Sequence, residues 1–416
     1  MCSALIGCRV ASRHRTRLNS RSVFFRDATI TLPPPAQTVT LTKLAARRRY
    51  PSGVVRWRSG LVVAQRREWT GALELEVDVR GEGSLRALAY TDVVGRPRPG
   101  DTVVLNTGAL ALGLGTGGYA LVVAAPDRLP ADEPPRPGHL VKARYTPSQQ
   151  IVLGVDEQDS AHHEVLRDAD DLGGMPVVVA DLHSALPAIL AALRLDRPDL
   201  RAAYVMTDGG ALPLAFSRTV AALRDAGWLA GTVTVGQAYG GDLEAVTVHT
   251  GLLAARLVLG VDVAIVTQGP GNLGTGTRWG FSGVASGEAV NATATLSGRP
   301  VGTLRVSAAD PRERHRGVSH HSLTAYGRVA LAAADIPVPR LPTGEFATRV
   351  REQAATLGVR HRIVDVDVDG LDQALRATPV RLSSMGRGLD EDRAYFLAAA
   401  AGGRHAASLV RASSAS

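Results

Sequence analysis

Apolar and polar positions alternate along this chain in two rhythms. Over residues 54–125 the apolar runs are short: VVRWRSGLVVAQ, LELEVDV, LRALAY, DTVVLNT and YALVVAA. Glycine-bearing breaks separate them at Thr70-Gly71 and at residues 81–83, 95–100 and 113–118. LELEVDV alternates with period two, the signature of a half-buried strand. Five such strands predict a small OB-like or SH3-like barrel over 54–126. The stretch PDRLPADEPPRPG is rich in proline and charge and reads as a linker over 127–138.

From residue 139 to 403 the rhythm changes to strand and helix in alternation. IVLGVDE, MPVVVAD, RAAYVMTD, GTVTVGQ, VDVAIVTQ and PVGTLRVS are near-continuous apolar strands. Between them lie the amphipathic stretches HSALPAILAALRL, PLAFSRTVAALRDAG and LEAVTVHTGLLAARLVLG, the last read as one helix. FATRVREQAATLG, HRIVDVDV and RAYFLAAAAGG repeat the pattern more weakly, and 404–416 reads as a disordered tail. The expected fold is α/β: an open, mostly parallel sheet with helices on both faces, preceded by a small N-terminal β-barrel-like domain.

Charge narrows the partners. Of the net +8, residues 1–53 supply ten basic side chains against Asp27 alone, leaving 37 basic and 38 acidic residues in the body. A near-neutral body does not point to nucleic acid. The tail reads as disordered; its Arg and Ser content resembles a transit peptide, and Val54 or Val55 is an alternative start. Both cysteines, Cys2 and Cys8, lie in it, so the body suits a reducing cytoplasm and holds no thiolate chemistry. No apolar run reaches the roughly 18 residues of a membrane span.

Ligands of open α/β sheets bind beyond the carboxyl ends of the strands. Here those ends read Asp181-Leu182-His183-Ser184, Thr207-Asp208-Gly209-Gly210, Gly236-Gln237 with Asp242 and Glu244 beyond, Gln268-Gly269-Pro270-Gly271, and Ser307 with Asp310-Pro311-Arg312. Five polar, glycine-bearing ends favour a site over five helix caps. The densest is GPGNLGTGTRWGFSG, where Gly269, Gly271, Gly274 and Gly276, with Thr275, Thr277 and Arg278, suggest a cradle of N–H donors for an anion. GPGNLG fits a dinucleotide fingerprint, but no helix opens until about Ser282 and no acid follows at the right distance. A second dense segment, DPRERHRGVSHHSLTAYGRVAL, carries Arg316, His320 and His321. Its His315 and His320 are five apart, off any shared helical face, so it holds no HExxH-like zinc site. Asp242, at the expected start of a helix, could join Asp208 and His183 in a metal cluster only if the fold assembles them.

The segments GLGTGGYALVV, MTDGGALPLAFSR, GGDLEAVTVHT, GPGNLGTGTRWGFSG, DPRERHRGVSHHSLTA and SMGRGLDED together resemble a bacterial family catalogued as domain of unknown function 3866, over about Arg56 to Gly403. The resemblance implies no activity, cofactor or catalytic residue. The expectation is an enzyme acting on a small anionic, possibly phosphorylated, metabolite, or a non-catalytic metabolite sensor using the same pocket. His183, Asp208, Asp242, His320 and His321 are the acid/base candidates. Gly209, Gly210, Gly269, Gly271, Gly274, Thr275, Gly276, Thr277, Arg278 and Arg316 are the candidate ligand contacts. Metal, cofactor and oligomeric state are left open.

Overall fold

The computed structural model describes residues 55–132 and 134–411; the expectations for the N-terminal tail lie outside them. Strands β1 (Trp57–Trp69), β2 (Ala72–Val79), β3 (Gly83–Tyr90), β4 (Thr102–Asn106) and β5 (Ala120–Ala124) close a barrel in the order β1-β2-β3-β5-β4. β3 and β5 run parallel, whereas the other pairs are antiparallel. This is the Greek-key order of an OB barrel. The alternation seen in LELEVDV buries Leu73, Leu75, Val77 and Val79 against Val62, Val103 and Leu105. Short helices α1 (Thr91–Val94) and α2 (Gly108–Ala111) pack against this core through Val94 and Leu110. The barrel is docked firmly on the α/β part of the chain: Trp69 Nε1 donates to Ala215 O at 2.6 Å, and Trp69, Tyr90 and Tyr119 pack with Ala215 and Phe216.

Contrary to expectation, IVLGVDE does not enter the main sheet. β6 (Leu140–Lys142) pairs with β7 (Gln150–Val152) as a separate hairpin, and the run meets the sheet only at its end, where Gly154 bridges Glu244 and Val155 N donates to Glu244 O. Ile151 is 71% exposed; without cover on a second face, this run has no place in a buried parallel sheet. Helix α3 (His163–Leu166) comes next.

The main sheet has eight strands, with every pair parallel. They are β8 (Pro176–Val179), β9 (Ala202–Thr207), β10 (Gly231–Val235), β11 (Leu243–Ala245), β12 (Val263–Gln268), β13 (Arg299–Gly302), β16 (Asp335–Pro339) and β17 (Arg362–Val366). Their order is β11-β10-β9-β12-β8-β13-β16-β17. α4 (Leu186–Asp196), α10 (Leu371–Arg376) and α11 (Arg393–Leu409) pack together over one face; α6 (Val248–Leu257) and α7 (Ala285–Thr295) pack over the other. α5 (Arg218–Asp225) joins β9 to β10 and α9 (Glu345–Ala355) joins β16 to β17. No helix among the described residues is long and apolar enough to cross a membrane.

Three more segments differ from expectation. LEAVTVHTGLLAARLVLG is not one helix: Leu243–Ala245 is edge strand β11, and α6 starts behind it with Thr247 as its cap, the Thr247 side chain accepting from Thr250 N. PVGTLRVS breaks after Gly302, because the chain leaves the sheet and Val306–Ser307 (β14) pairs instead with Gly317–Val318 (β15). The last helix runs to Leu409, so residues 404–409 are not tail; His405 is buried and bonds Asp335 at 2.7 Å.

Candidate functional site

The strand order creates a crevice where successive connections diverge. From β8 the chain moves toward β9, whereas from β13 it moves the opposite way, toward β16. The carboxyl ends of these neighbours are tied by Tyr326, whose buried hydroxyl donates to Val179 O at 2.9 Å and Thr303 O at 3.2 Å. Beyond them Asp181 follows β8, Gln268 ends β12, and Arg305 follows β13. The excursion from β13 to β16 brings three histidines back over this point.

His315 closes a 3-10 turn (Glu313–His315), β15 reverses the chain, and α8 (His320–Thr324) starts with His320 and His321. Ser319 caps α8, accepting from His321 N at 3.2 Å, as its position before the helix predicts. One ring nitrogen of each of His315, His320 and His321 lies within 4.8 Å of those of the other two. His315 and His320 share no helical face, as their spacing indicates, yet a turn and a two-residue strand bring His315 to the pair by another route. Phe281 stacks on His321 with ring centroids 3.8 Å apart and planes 4° off parallel.

Polar neighbours flank two of these rings. His315 Nδ1 lies 2.7 Å from Ser319 Oγ. His321 Nδ1 faces Asp181 Oδ2 at 3.6 Å and Arg305 Nη1 at 3.5 Å. Burial, reinforced by Arg305 and Arg312, pushes the His315 pKa down to about 3. Burial, with His321 and Arg314 behind it, pushes that of His320 down to about 4. Both rings are therefore neutral at physiological pH.

Behind the histidines stands a buried ionic cluster. Asp310 accepts two bonds from Arg312, at 2.9 and 2.8 Å, and faces Arg387 at 3.3 Å and Arg305 at 3.5 Å. Asp392 accepts from Ser307 Oγ at 2.5 Å and from Arg387 Nε at 3.1 Å. The SMGRGLDED segment thus reaches the site from the far end of the chain. Among the described residues, Asp181 Oδ2, Gln268 Oε1, Arg305 Nη2 and His320 Nε2 are buried and make no hydrogen bond. Leaving such groups unmet costs roughly 1–3 kcal/mol each.

The other candidates fall elsewhere. His183 is committed at both ring nitrogens, to Tyr204 Oη at 3.0 Å and Ser217 Oγ at 2.7 Å, and burial pushes its pKa down to about 4. Because the unfolded chain protonates this ring near 6.5 and the folded one does not, stability should fall as pH drops from 6.5 towards 4. Urea titrations across that window should show a shallower pH slope for His183→Gln; equal slopes would remove His183 as a contributor.

Asp208 organises a turn, accepting from Gly210 N, Ala211 N and Gln237 N. Asp242 precedes β11 and bonds Thr232 near the start of β10 and Arg224, which places it towards the amino ends of the strands rather than with the crevice groups. The expected metal set of Asp208, Asp242 and His183 is therefore not assembled.

The glycine-rich segment forms a small hairpin, Gly274 bridging Phe281. Thr275 N donates to Gly280 O, Leu273 N to Ser282 Oγ, and Gly280 N to Thr277 Oγ1, so several donors an anion cradle would use are taken up internally. Only Gly271 and Gly276 of its glycines have positive φ. Thr275, Thr277 and Arg278 are exposed at the tip, Gly269 is buried near Met206, and Arg316 is exposed beside the histidine turn. The hairpin's tie to the crevice is at its base. A Cβ on Gly283 would stand 3.0 Å from Asp181 Cβ, so glycine there lets the start of α7 lie against the end of β8. Gly209 similarly abuts Gln268 Oε1, where a Cβ would be 3.0 Å away.

Asp181, Gln268, Phe281, Arg305, Asp310, His315, Arg387 and Asp392 were not among the candidates. Arg305 carried a readable signal, a cation inside an apolar run. A separate cavity of about 420 Å³ lies between barrel and sheet, lined by Tyr90, Asp92, Arg136, Tyr239 and Glu244; none of the crevice groups lines it.

A protein-family model, described as a protein of unknown function (DUF3866), matches residues 86–403. The match starts within β3, later than the Arg56 expected from the motifs. No curated protein and no solved structure matches the chain.

Proposed function

From the site alone we propose an enzyme that acts on a small anionic metabolite, for the chain belongs to the domain of unknown function 3866 family, which brings no described activity with it. The observation that carries the reading is the set of four buried polar atoms without hydrogen bonds, gathered where α/β sheets take their ligands. Arg305 Nη2 has Asp310 Oδ2 at 3.5 Å but makes no hydrogen bond, which leaves a donor for a closer anionic acceptor. Asp181 and Gln268 offer acceptors to a substrate hydroxyl or a water. His321, with Asp181 at its Nδ1, helps to bind and activate that group. Exposed Arg278, Arg314 and Arg316, on the glycine-rich hairpin and the histidine turn, add positive charge that favours negative ligands.

Inorganic phosphate and pyrophosphate should raise the melting temperature of the full chain in a saturable way. Arg305→Met should weaken this at least about tenfold, the worth of a charged hydrogen bond, and Arg305→Lys should restore part of it. His321→Gln should keep anion binding while losing turnover across a panel of phosphate esters. A wild-type chain indifferent to both anions would end this reading.

A further inference from the structure

We propose that His315, His320 and His321 hold a divalent transition-metal ion of the zinc class, with Ser319 and Asp181 as the groups that position its ligands. The proposal deepens the enzymatic reading and rests on it only for the metal's role, the activation of a water molecule next to the bound anion.

Three observations converge. The ring nitrogens lie within 4.8 Å of one another. In a zinc site, with Zn–N about 2.0–2.1 Å, neighbouring ligand nitrogens stand about 3.4 Å apart, so the three side chains draw closer when the ion binds. His315 Nδ1 is engaged by Ser319 Oγ and His321 Nδ1 faces Asp181 Oδ2, while His320 Nε2 is buried without any partner. A metal-ligating imidazole that directs one nitrogen inward and gives the other to a hydroxyl or carboxylate has its tautomer and orientation set by that partner. Finally, Phe281, stacked on His321, supplies an apolar wall.

The donor set selects the metal class. Three imidazoles, with no carboxylate among the ligands, suit zinc, cobalt or copper and not calcium or magnesium. Three protein ligands also leave a coordination position for water or substrate, the pattern of catalytic rather than structural zinc. The buried cation Arg305 lies against His321 and opposes the ion's charge; Asp181 and Asp310 offset it.

The test is metal binding by the full chain, stripped with a chelator and titrated with Co²⁺ and, by equilibrium dialysis, with Zn²⁺. One ion per chain should bind, with visible d–d absorption. His315→Ala and His320→Ala should each abolish the bands, and Asp181→Asn should weaken affinity about 10–100-fold while keeping them. Because an alanine variant can fail to fold, His320→Cys gives a second readout: a retained site acquires a near-ultraviolet thiolate-to-cobalt charge-transfer band. The proposal is overturned if the wild-type chain shows no d–d absorption, if the histidine variants bind as it does, or if folded His320→Cys lacks the new band. Cobalt bound without phosphate would sink the enzymatic reading alone; phosphate bound without cobalt would sink the metal alone.

Discussion

Replacing Asp310 by alanine should cost the fold about 3–5 kcal/mol, the range for removing one partner from a buried ion pair. Its side chain is fully buried among three guanidiniums, those of Arg305, Arg312 and Arg387. Burial alone would raise its pKa, but the bonds from Arg312 prevail and hold the carboxyl well below the usual range. Without it, Arg312 and Arg387 retain routes to water or Asp392, whereas Arg305, 4% exposed, keeps no carboxylate partner. The difference from wild type should be constant from about pH 8 to about pH 5. A group with a depressed folded pKa contributes fully above its unfolded value and loses that contribution only as pH falls through the folded one. Urea unfolding of both proteins measures this, and a loss below about 1 kcal/mol would mean that Arg305 escapes to solvent.

Gly403→Ala should be nearly as damaging. α11 crosses α4 so closely that a Cβ at position 403 would stand 2.0 Å from Ile189 O and 2.8 Å from its carbonyl carbon. Backbone cannot rotate away, so the helices must part. Overpacking costs about 1–3 kcal/mol, and a backbone obstacle places this case at the upper end, even after the roughly 1 kcal/mol that alanine gains over glycine in a helix. Gly402→Ala is the matched control: its Cβ would meet Thr303 Oγ1 at 2.6 Å, and a side chain can turn. The urea midpoint should drop markedly for position 403 and only slightly for 402. Equal midpoints would show that the α4–α11 approach is looser than described.

The architecture was readable because its signals are local. MPVVVAD, RAAYVMTD, GTVTVGQ and VDVAIVTQ carry the unbroken apolar character of strands buried on both faces, and LELEVDV the alternation of a barrel. DIPVP, now β16, was missed because two prolines mask a strand whose pairing is set by its neighbours. The candidate site was legible in location, at the strand carboxyl ends, and in His320 and His321. It was not legible in membership. Asp181 was passed over for His183, two residues on, because no local pattern tells which of the two faces the crevice. His315 joins the other histidines through β14–β15, a pairing of two residues per strand that leaves no periodic trace. Long-range neighbours such as Arg387 and Asp392 become partners of the 305–310 segment only through tertiary packing.

The position of β12 also bears on how the chain is made. Strands β8 and β9 are consecutive in sequence, yet β12 is inserted between them. During synthesis, a nascent chain that has not yet released Gln268 holds β8 as a lone strand and β9, β10 and β11 as a partial sheet, each with an unpaired apolar edge. The barrel, complete by Ala124 and built from near neighbours, needs no such wait. Translation of residues 180–268 is thus an interval in which open strand edges favour aggregation or chaperone capture.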